Sequence, residues 1–381
     1  MRVCYFGTYR ADYSRNQIMI NGLRDAGVEV IECHERLWHG IEDRVRAGSG
    51  GWLRPKFIGR VIKVYCILIK KYLTLNDFDI LIVGYPGQFD VLIAYVLSRL
   101  RKKPIVWDIF MSIYLIAVER GLDRVNPITV QLLWWIEKIA CHLPDLLVID
   151  TVDYSQWFSE TYRINSSRFS LVPTGANEQV FYPTILENVP SENVLVSYHG
   201  SFIPNHGVTY IVEAARILQN YPQIKFEMIG IGPEYEIVQE LITRYELINI
   251  SLIGWLSQPE LVDRLRQSDL ILGAFGTTPQ SLLTVQNKIY EGLALSKPVL
   301  TGDSPTIRRQ FVHLKHLYLV QRADPQAIAD GIIYLKSNPS LRRQLSENGY
   351  SIYCKQYTIR EIGHQYAQHL VNQISRSDHS S

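Results

Sequence analysis

Short β-rich runs alternate with longer helical patterns along almost the whole chain, and this alternation restricts it to α/β architectures built on parallel strands. In the first half, Val3–Phe6, Ile80–Val83, Pro104–Trp107 and Leu146–Ile149 have the character of buried strands, with helical stretches over 15–26, 89–101 and 127–142 between several of them. Strands so uniformly apolar are covered on both faces. The pattern then restarts. Val194–Tyr198, Lys225–Ile229, Ile250–Ile253, Leu270–Leu272, Pro298–Leu300 and Leu317–Val320 alternate with helices near 208–219, 234–246, 259–267, 286–295 and 325–336. The expected fold class is therefore α/β, with two Rossmann-like doubly wound halves. They join around 176–192, where Pro183, Pro190 and several polar residues break the periodicity. Ligands of open α/β sheets lie beyond the carboxyl ends of the strands, so two such halves would face each other across a cleft lined by loops from both. The expected domains are 1–175, a linker over 176–192, 193–355, a helix over 356–374 returning to the first domain, and a frayed polar tail over 375–381.

At 381 residues the chain is too long for one core, and each half can bury its own. Five scattered cysteines without C-x-x-C spacing fit a reducing cytoplasm. Met1–Gly7 enters a short apolar run at once, without the long apolar region and cleavage site of a signal peptide, so secretion by that route is not expected. Thirty-nine basic against 37 acidic residues leave +2, too balanced for a nucleic-acid binder dominated by phosphate neutralisation. One segment departs from that balance. From Arg54 to Lys71 there are six basic residues and no acidic one, with Lys56, Arg60, Lys63 and Lys70 near one helix face, opposite Phe57, Ile58, Ile62, Tyr65 and Ile69. This is the pattern of an amphipathic basic helix, either a solvated face or an element for an anionic membrane surface through 54–71. No apolar window is long enough to span a bilayer.

The most specific run is Val172-Pro-Thr-Gly-Ala-Asn177 followed by Phe181-Tyr-Pro183. It resembles the interdomain stretch of the family 4 glycosyltransferases of GT-B fold, which reads V-P-N-G-V-D, three residues, then F-x-P. Further similar pieces fall in the family's order: Gly200 to Gly207 opening a helix, Met228-Ile-Gly-Ile-Gly-Pro233, Leu252-Ile-Gly-Trp-Leu256, Ser268-Asp-Leu, and Ile289-Tyr-Glu-Gly-Leu-Ala294 leading to Lys297-Pro-Val. The resemblance is strong over about 170–336 and weak in the first half. It implies a nucleotide-sugar-dependent, retaining transferase.

The pieces also carry chemistry of their own. Gly230 and Gly232 follow a strand, and either let backbone approach a ligand or make a tight turn. Gly207 sits where a helix begins, and helix N-termini favour a diphosphate. The resemblance places an Arg and a Lys in this loop, where the chain has Ser201 and His206. Of the family's E-x7-E signature only the second glutamate is present, Glu291, which inherits the role of accepting the ribose hydroxyls; the first is Leu283. Lys288 lies one turn before Glu291 and is placed to neutralise a departing diphosphate, Asn287 precedes it, and the surface ion pair is the alternative. Thr278 and Gln280 are candidates for the sugar, and Trp255 with Gly232 for the base.

In the first half, Gly7 to Asn16 follows the first strand but is not G-x-G-x-x-G, which disfavours a dinucleotide-binding dehydrogenase. Gly7 approaches the donor there, and Arg10 and Arg15 are within reach of a phosphate. Asp90 and Asp108 end or follow strands near the expected cleft, with Asp108 orienting or polarising the acceptor. Asp77-Phe-Asp79 has the letters of a metal site but precedes a strand and reads as a turn, so neither a catalytic metal nor a cofactor is expected. The expected activity is transfer of a sugar from a nucleotide-diphosphate sugar to a glycan, lipid-linked or small-molecule acceptor. A non-catalytic nucleotide-sugar-binding subunit and a sugar-nucleotide epimerase are the alternatives.

Overall fold

The computed structural model of the chain describes residues 1–37, 54–184 and 193–378. It divides into two compact units, one made of Met1–Thr174 with Ile359–Ser381 and the other of Gly175–Thr358. The first unit holds β1 (Arg2–Gly7), β2 (Glu29–His34), β3 (Ile80–Val83), β4 (Ile105–Asp108), β5 (Leu146–Ile149) and β6 (Phe169–Leu171). They form one parallel sheet in the order β2-β1-β3-β4-β5-β6. Every residue of β3, β4 and β5 is buried, as strands covered on both faces require.

The second unit holds β7 (Val194–His199), β8 (Ile224–Ile229), β9 (Ile250–Ile253), β10 (Leu270–Leu272), β11 (Val299–Gly302) and β12 (Tyr318–Val320), parallel in the order β12-β11-β10-β7-β8-β9. The strands expected from the sequence are found to within about two residues at either end. Two were not expected. β2 mixes polar with apolar residues and is mostly incompletely buried because it is an edge strand, and β6 is only three residues long. The helices Val152–Tyr162 and Pro339–Gln356 were likewise not anticipated.

Two expected boundaries change. Residues 176–184 of the expected linker belong to the second unit: Tyr353 Oη donates to the Ala176 carbonyl at 3.0 Å, and Phe181 is buried beside Ile289 and Leu293. Residues 185–192 lie outside the described residues. The last helix runs from Ile359 to Asp378, so 375–378, expected as frayed tail, are helical, and 379–381 lie outside the described residues. That helix buries Ile362, Tyr366 and Leu370 against Ile18, Met19 and Leu23 of the Ser14–Asp25 helix. Gly22 and Gly363 permit the crossing, since a side chain on either would strike the other backbone.

The basic helix spans Pro55–Thr74, but not with the expected inner face. Val64, Leu68 and Tyr72 pack inward, while Ile58 and Ile62 are exposed alongside the lysines. Asp77 and Asp79 lie on the turn into β3, one pairing with Lys103 at 2.9 Å and the other accepting from the Arg2 amide at 2.7 Å.

The largest correction concerns Arg15 and Asp108, expected as a donor contact and a catalytic group. Both are fully buried and bound to each other, with the Arg15 guanidinium 2.8 Å from an Asp108 carboxylate oxygen. Arg15 also donates to the Val172 carbonyl at 2.7 Å and lies over the Phe110 ring. Burial opposes the charge on Arg15, but Asp108 outweighs it and holds its pKa above the usual value. Nearby Asp150 is pushed up to about 7 by burial, against the pull of Arg15. A pair with no solvent face cannot meet a substrate, so its work is to join β4 to the Ser14–Asp25 helix and the end of β6. Removing one partner of such a pair costs about 3–5 kcal/mol, because the other charge stays buried and alone. Asp108→Ala should therefore destabilise the first unit by that amount, read as a lower urea midpoint at unchanged slope, while Arg15→Met with Asp108→Leu recovers much of the loss. An unchanged midpoint in the single variant would return Asp108 to the list of catalytic candidates.

Candidate functional site

In the second sheet the strand order reverses at β7, which has β8 on one side and β10 on the other. Such a switch point opens a crevice at the carboxyl ends of the flanking strands. β7 ends at His199 and passes into Gly200, whose φ of +126° is open to glycine at little cost. Gly230, the residue after β8, lies so close to the Gly200 carbonyl that no side chain fits there. The loop after β7 runs on to Gly207, which starts the Val208–Ile217 helix without a side-chain cap. A Cβ on Gly207 would come within 2.7 Å of the Gly276 amide nitrogen, so the loops after β7 and β10 touch backbone to backbone.

Lys288 enters this crevice from the Asn287–Ala294 helix and is only 4% exposed. Its Nζ lies 3.3 Å from His206 Nδ1 and 5.0 Å from the centre of the Tyr198 ring. Among the described residues no carboxylate forms an ion pair with it. Burial pushes the ammonium down to about 7, against the opposing pull of Glu291 one turn away. His206 Nδ1 also stands 2.7 Å from the Ser201 carbonyl and 2.8 Å from Tyr198 Oη. Burial first, and then the charge of Lys288, hold the His206 imidazolium well below its ordinary range. A proton on Nδ1 donates to the Ser201 carbonyl; with the proton on Nε2 instead, Nδ1 accepts from Lys288 or Tyr198. Lysine charge and histidine tautomer are thus coupled.

Glu291 faces the same crevice and is fixed by a residue that the sequence reading missed. His199 Nε2 lies 2.6 Å from Glu291 Oε2, and among the described residues the buried Nδ1 of His199 has no partner. A polar residue closing an apolar strand just before a glycine was the available signal. Arg322 was missed as well. It donates to the Asp303 and Gly276 carbonyls and to Ser281 Oγ at 2.7–2.9 Å, bracing the loop after β10, and burial pushes its pKa down to about 10.

The other expected donor contacts divide. Ser201 is exposed beside His206, and Asn287 begins the helix that carries Lys288. Thr278 caps the short Pro279–Leu283 helix by accepting from the Ser281 amide, and Gln280 accepts from Asn205, so both side chains have structural work. The side-chain direction of Gly232 is filled by the Phe202 backbone, which makes it a loop contact and not an opening toward a base. Trp255 is 75% exposed after β9, two strands from β7. Gly7 lies in the first unit, its Cβ direction blocked 2.6 Å away by Asp90, which in turn accepts from the Thr8 amide and Tyr65 Oη at 2.8 Å. Beside that loop is a cavity of about 160 Å³ lined by Thr8, Tyr9, Arg10, Asp12, His34 and Arg36 among others. The crevice of the second unit thus offers a buried amine, a histidine, a bare helix N-terminus and one carboxylate, a set suited to an anion carrying adjacent hydroxyls.

Residues 186–352, somewhat less than half of the chain, match the family model described as glycosyl transferases group 1. A segment of 183 residues is 24% identical to an uncharacterized glycosyltransferase of Methanocaldococcus jannaschii, a match that spans 48% of each chain and so about half the length of that relative. In structure, 98% of the chain is similar to 99% of the sucrose-phosphate synthase of Thermosynechococcus elongatus, with a TM-score of 0.72 at 15% identity. The HepE protein of Anabaena in complex with UDP-glucose gives 0.68 at 14% identity, over 98% of this chain and all of that one. Together with the two parallel sheets, these likenesses define a GT-B fold of two Rossmann-like α/β domains.

The cluster makes a prediction without any ligand. The 13Cε resonance of Lys288 should titrate with a midpoint near 7, and Glu291→Gln should move it lower, because the glutamate charge is what raises it. A midpoint near the ordinary lysine value of 10.5 would show that the amine reaches water.

Proposed function

We propose that the chain is a glycosyltransferase that moves a sugar from a nucleoside-diphosphate sugar to an acceptor, the second unit taking the donor and the first the acceptor. The observation that carries this is the buried Lys288 amine against His206, beside the His199-held Glu291, at the switch point of the sheet and within the segment that matches group 1. Glu291 accepts the ribose hydroxyls. Lys288, His206 and the amides that start the Val208–Ile217 helix receive the diphosphate, and their hold strengthens as the glycosidic bond to it breaks and charge collects there. Transfer proceeds with retention and without a metal, the departing phosphate oxygen taking the acceptor proton. The HepE complexes with UDP and UDP-glucose support uridine nucleotides as the first probes. The acceptor is a glycan, free or lipid-linked, in cell-surface polysaccharide synthesis, and the enzyme works in the cytoplasm at the inner face of the membrane.

Calorimetry with UDP on folded variants separates these roles. Glu291→Ala should weaken binding by about 1.5–3 kcal/mol, ten- to hundredfold, and His199→Phe should give part of that loss. Lys288→Ala should cost more in turnover than in donor affinity. Unchanged UDP affinity in Glu291→Ala would remove the ribose role.

The lysine also sets a pH dependence. In the free protein it is half neutral at about 7, and a diphosphate beside it raises that value, so between the two values binding takes up a proton. UDP affinity should be flat just below about 7 and fall above it, by up to tenfold per unit, and Lys288→Met should flatten the profile. Equal binding heats in buffers of different ionisation enthalpy at pH 8 would show that no proton is taken up and that the amine does not meet the phosphate.

A further inference from the structure

In the first sheet the connections β2 to β3, β3 to β4 and β4 to β5 all step in the same direction. With right-handed crossovers, the helices Pro55–Thr74, Asp90–Arg101 and Pro127–His142 then lie in one layer on one face. Side chains tie the layer together: Tyr72 Oη donates to the Leu97 carbonyl at 3.0 Å, and Gln88 Nε2 donates to Glu137 at 3.0 Å.

Each helix buries one stripe against the sheet and shows a second apolar stripe to solvent. Pro55–Thr74 exposes Ile58, Ile62 and Leu73, with Ile62 at 59%. Around Asp90–Arg101, Phe89, Val96 and Leu100 are exposed at spacings of 7 and 4, Leu100 at 72%. On Pro127–His142 the stripe is Ile128, Leu132, Trp135 and Ile139, with Ile128 at 81%. Single exposed apolar residues are ordinary, but helical spacing on three neighbouring helices makes an apolar face where a solvated layer would be polar.

Charge selects the occupant. The three helices carry only two carboxylates, Asp90 and Glu137, and both are buried in hydrogen bonds. Lys56, Lys63 and Lys70 are exposed, and Lys138 lies over the rings of Trp134 and Trp135 at 4.8 and 5.1 Å. A second copy meeting this face would set like charges against one another, whereas an anionic bilayer offers phosphates to the lysines and acyl chains to the apolar stripes. None of these helices is long and apolar enough to cross the membrane. We propose that this three-helix face docks the protein onto an anionic membrane surface, with the stripes entering the headgroup boundary. The docking is independent of the donor site.

Flotation of the full chain with vesicles of phosphatidylglycerol and phosphatidylcholine tests it, against pure phosphatidylcholine and against high salt. The protein should float with the anionic vesicles at low salt only. Replacing Lys56, Lys63 and Lys70 by Gln should weaken binding about a hundredfold, each charge near such a surface counting about fivefold. Ile128→Gln with Trp135→Gln should also release it. Both sets lie on the surface, so unchanged UDP affinity and urea midpoints would establish that the variants are folded. Wild-type protein that stays down with anionic vesicles overturns the proposal, as does binding that survives either set. A dimer in sedimentation velocity that Ile128→Gln with Trp135→Gln dissociates would overturn it too, by giving the face to a second copy.

Discussion

A cation taken out of water needs a counter-charge, and the two units meet that demand in opposite ways. In the first, Arg15 is closed on all sides and the demand is met within the fold by Asp108, two carbonyl or hydroxyl contacts and an aromatic face. In the second, Lys288 is almost as deeply placed, yet its neighbours are a neutral histidine, a phenol ring and glycine backbone. The fold leaves that amine undercompensated. Lost protons ease the cost near neutrality, and an arriving anion would reverse it. The same physics makes one cation a structural bolt and, on the proposed function, the other a receptor.

What keeps Lys288 in that state is the rigidity of the loops around it. Gly230 against Gly200 and Gly207 against Gly276 bring backbone to within contact distance, so the carboxyl ends of β7, β8 and β10 hold one geometry. His206 sits inside that frame, fixed through Nδ1 to the Ser201 carbonyl and Tyr198. Arg322 braces the other side by binding Gly276 and Ser281 from behind. Preorganised groups of this kind bind a charge without paying again to orient themselves.

Much of the architecture was legible because buried parallel strands leave a nearly continuous apolar signature, as in Ile80–Val83 and Leu146–Ile149. β2 escaped because an edge strand needs apolar residues on one side only. Of the crevice, the motif resemblance pointed to Glu291 and to the loop of Ser201, His206 and Gly207, and spacing along a helix put Lys288 beside Glu291. Asp108 was misplaced because ending a strand locates a side chain along the sheet axis but does not tell whether it points to solvent or to another helix, and its partner lies 93 residues away. His199 needed the same long-range information, 92 residues from Glu291. The Pro55–Thr74 helix failed differently. It carries apolar residues on two faces, so periodicity alone could not choose which one the sheet would cover.

The departures from the glycosyltransferase pattern then form one coherent change. With Ser201 and His206 in place of the loop cations, positive charge is supplied from the opposite wall by Lys288, whose helix begins only after the short Pro279–Leu283 helix has turned away. Moving the charge to a packed helix trades the free reach of a loop side chain for burial, and burial is what brings the amine near neutrality. A loop lysine in water would stay charged well above pH 7 and bind diphosphate with little pH dependence. If the proposed function holds, a buried one couples donor affinity to proton uptake, and His206, 3.3 Å away and also held neutral, is the group whose tautomer answers when that proton arrives. On the proposed function, the histidine in the loop is therefore the complement of the lysine in the helix and not the remnant of a lost phosphate contact.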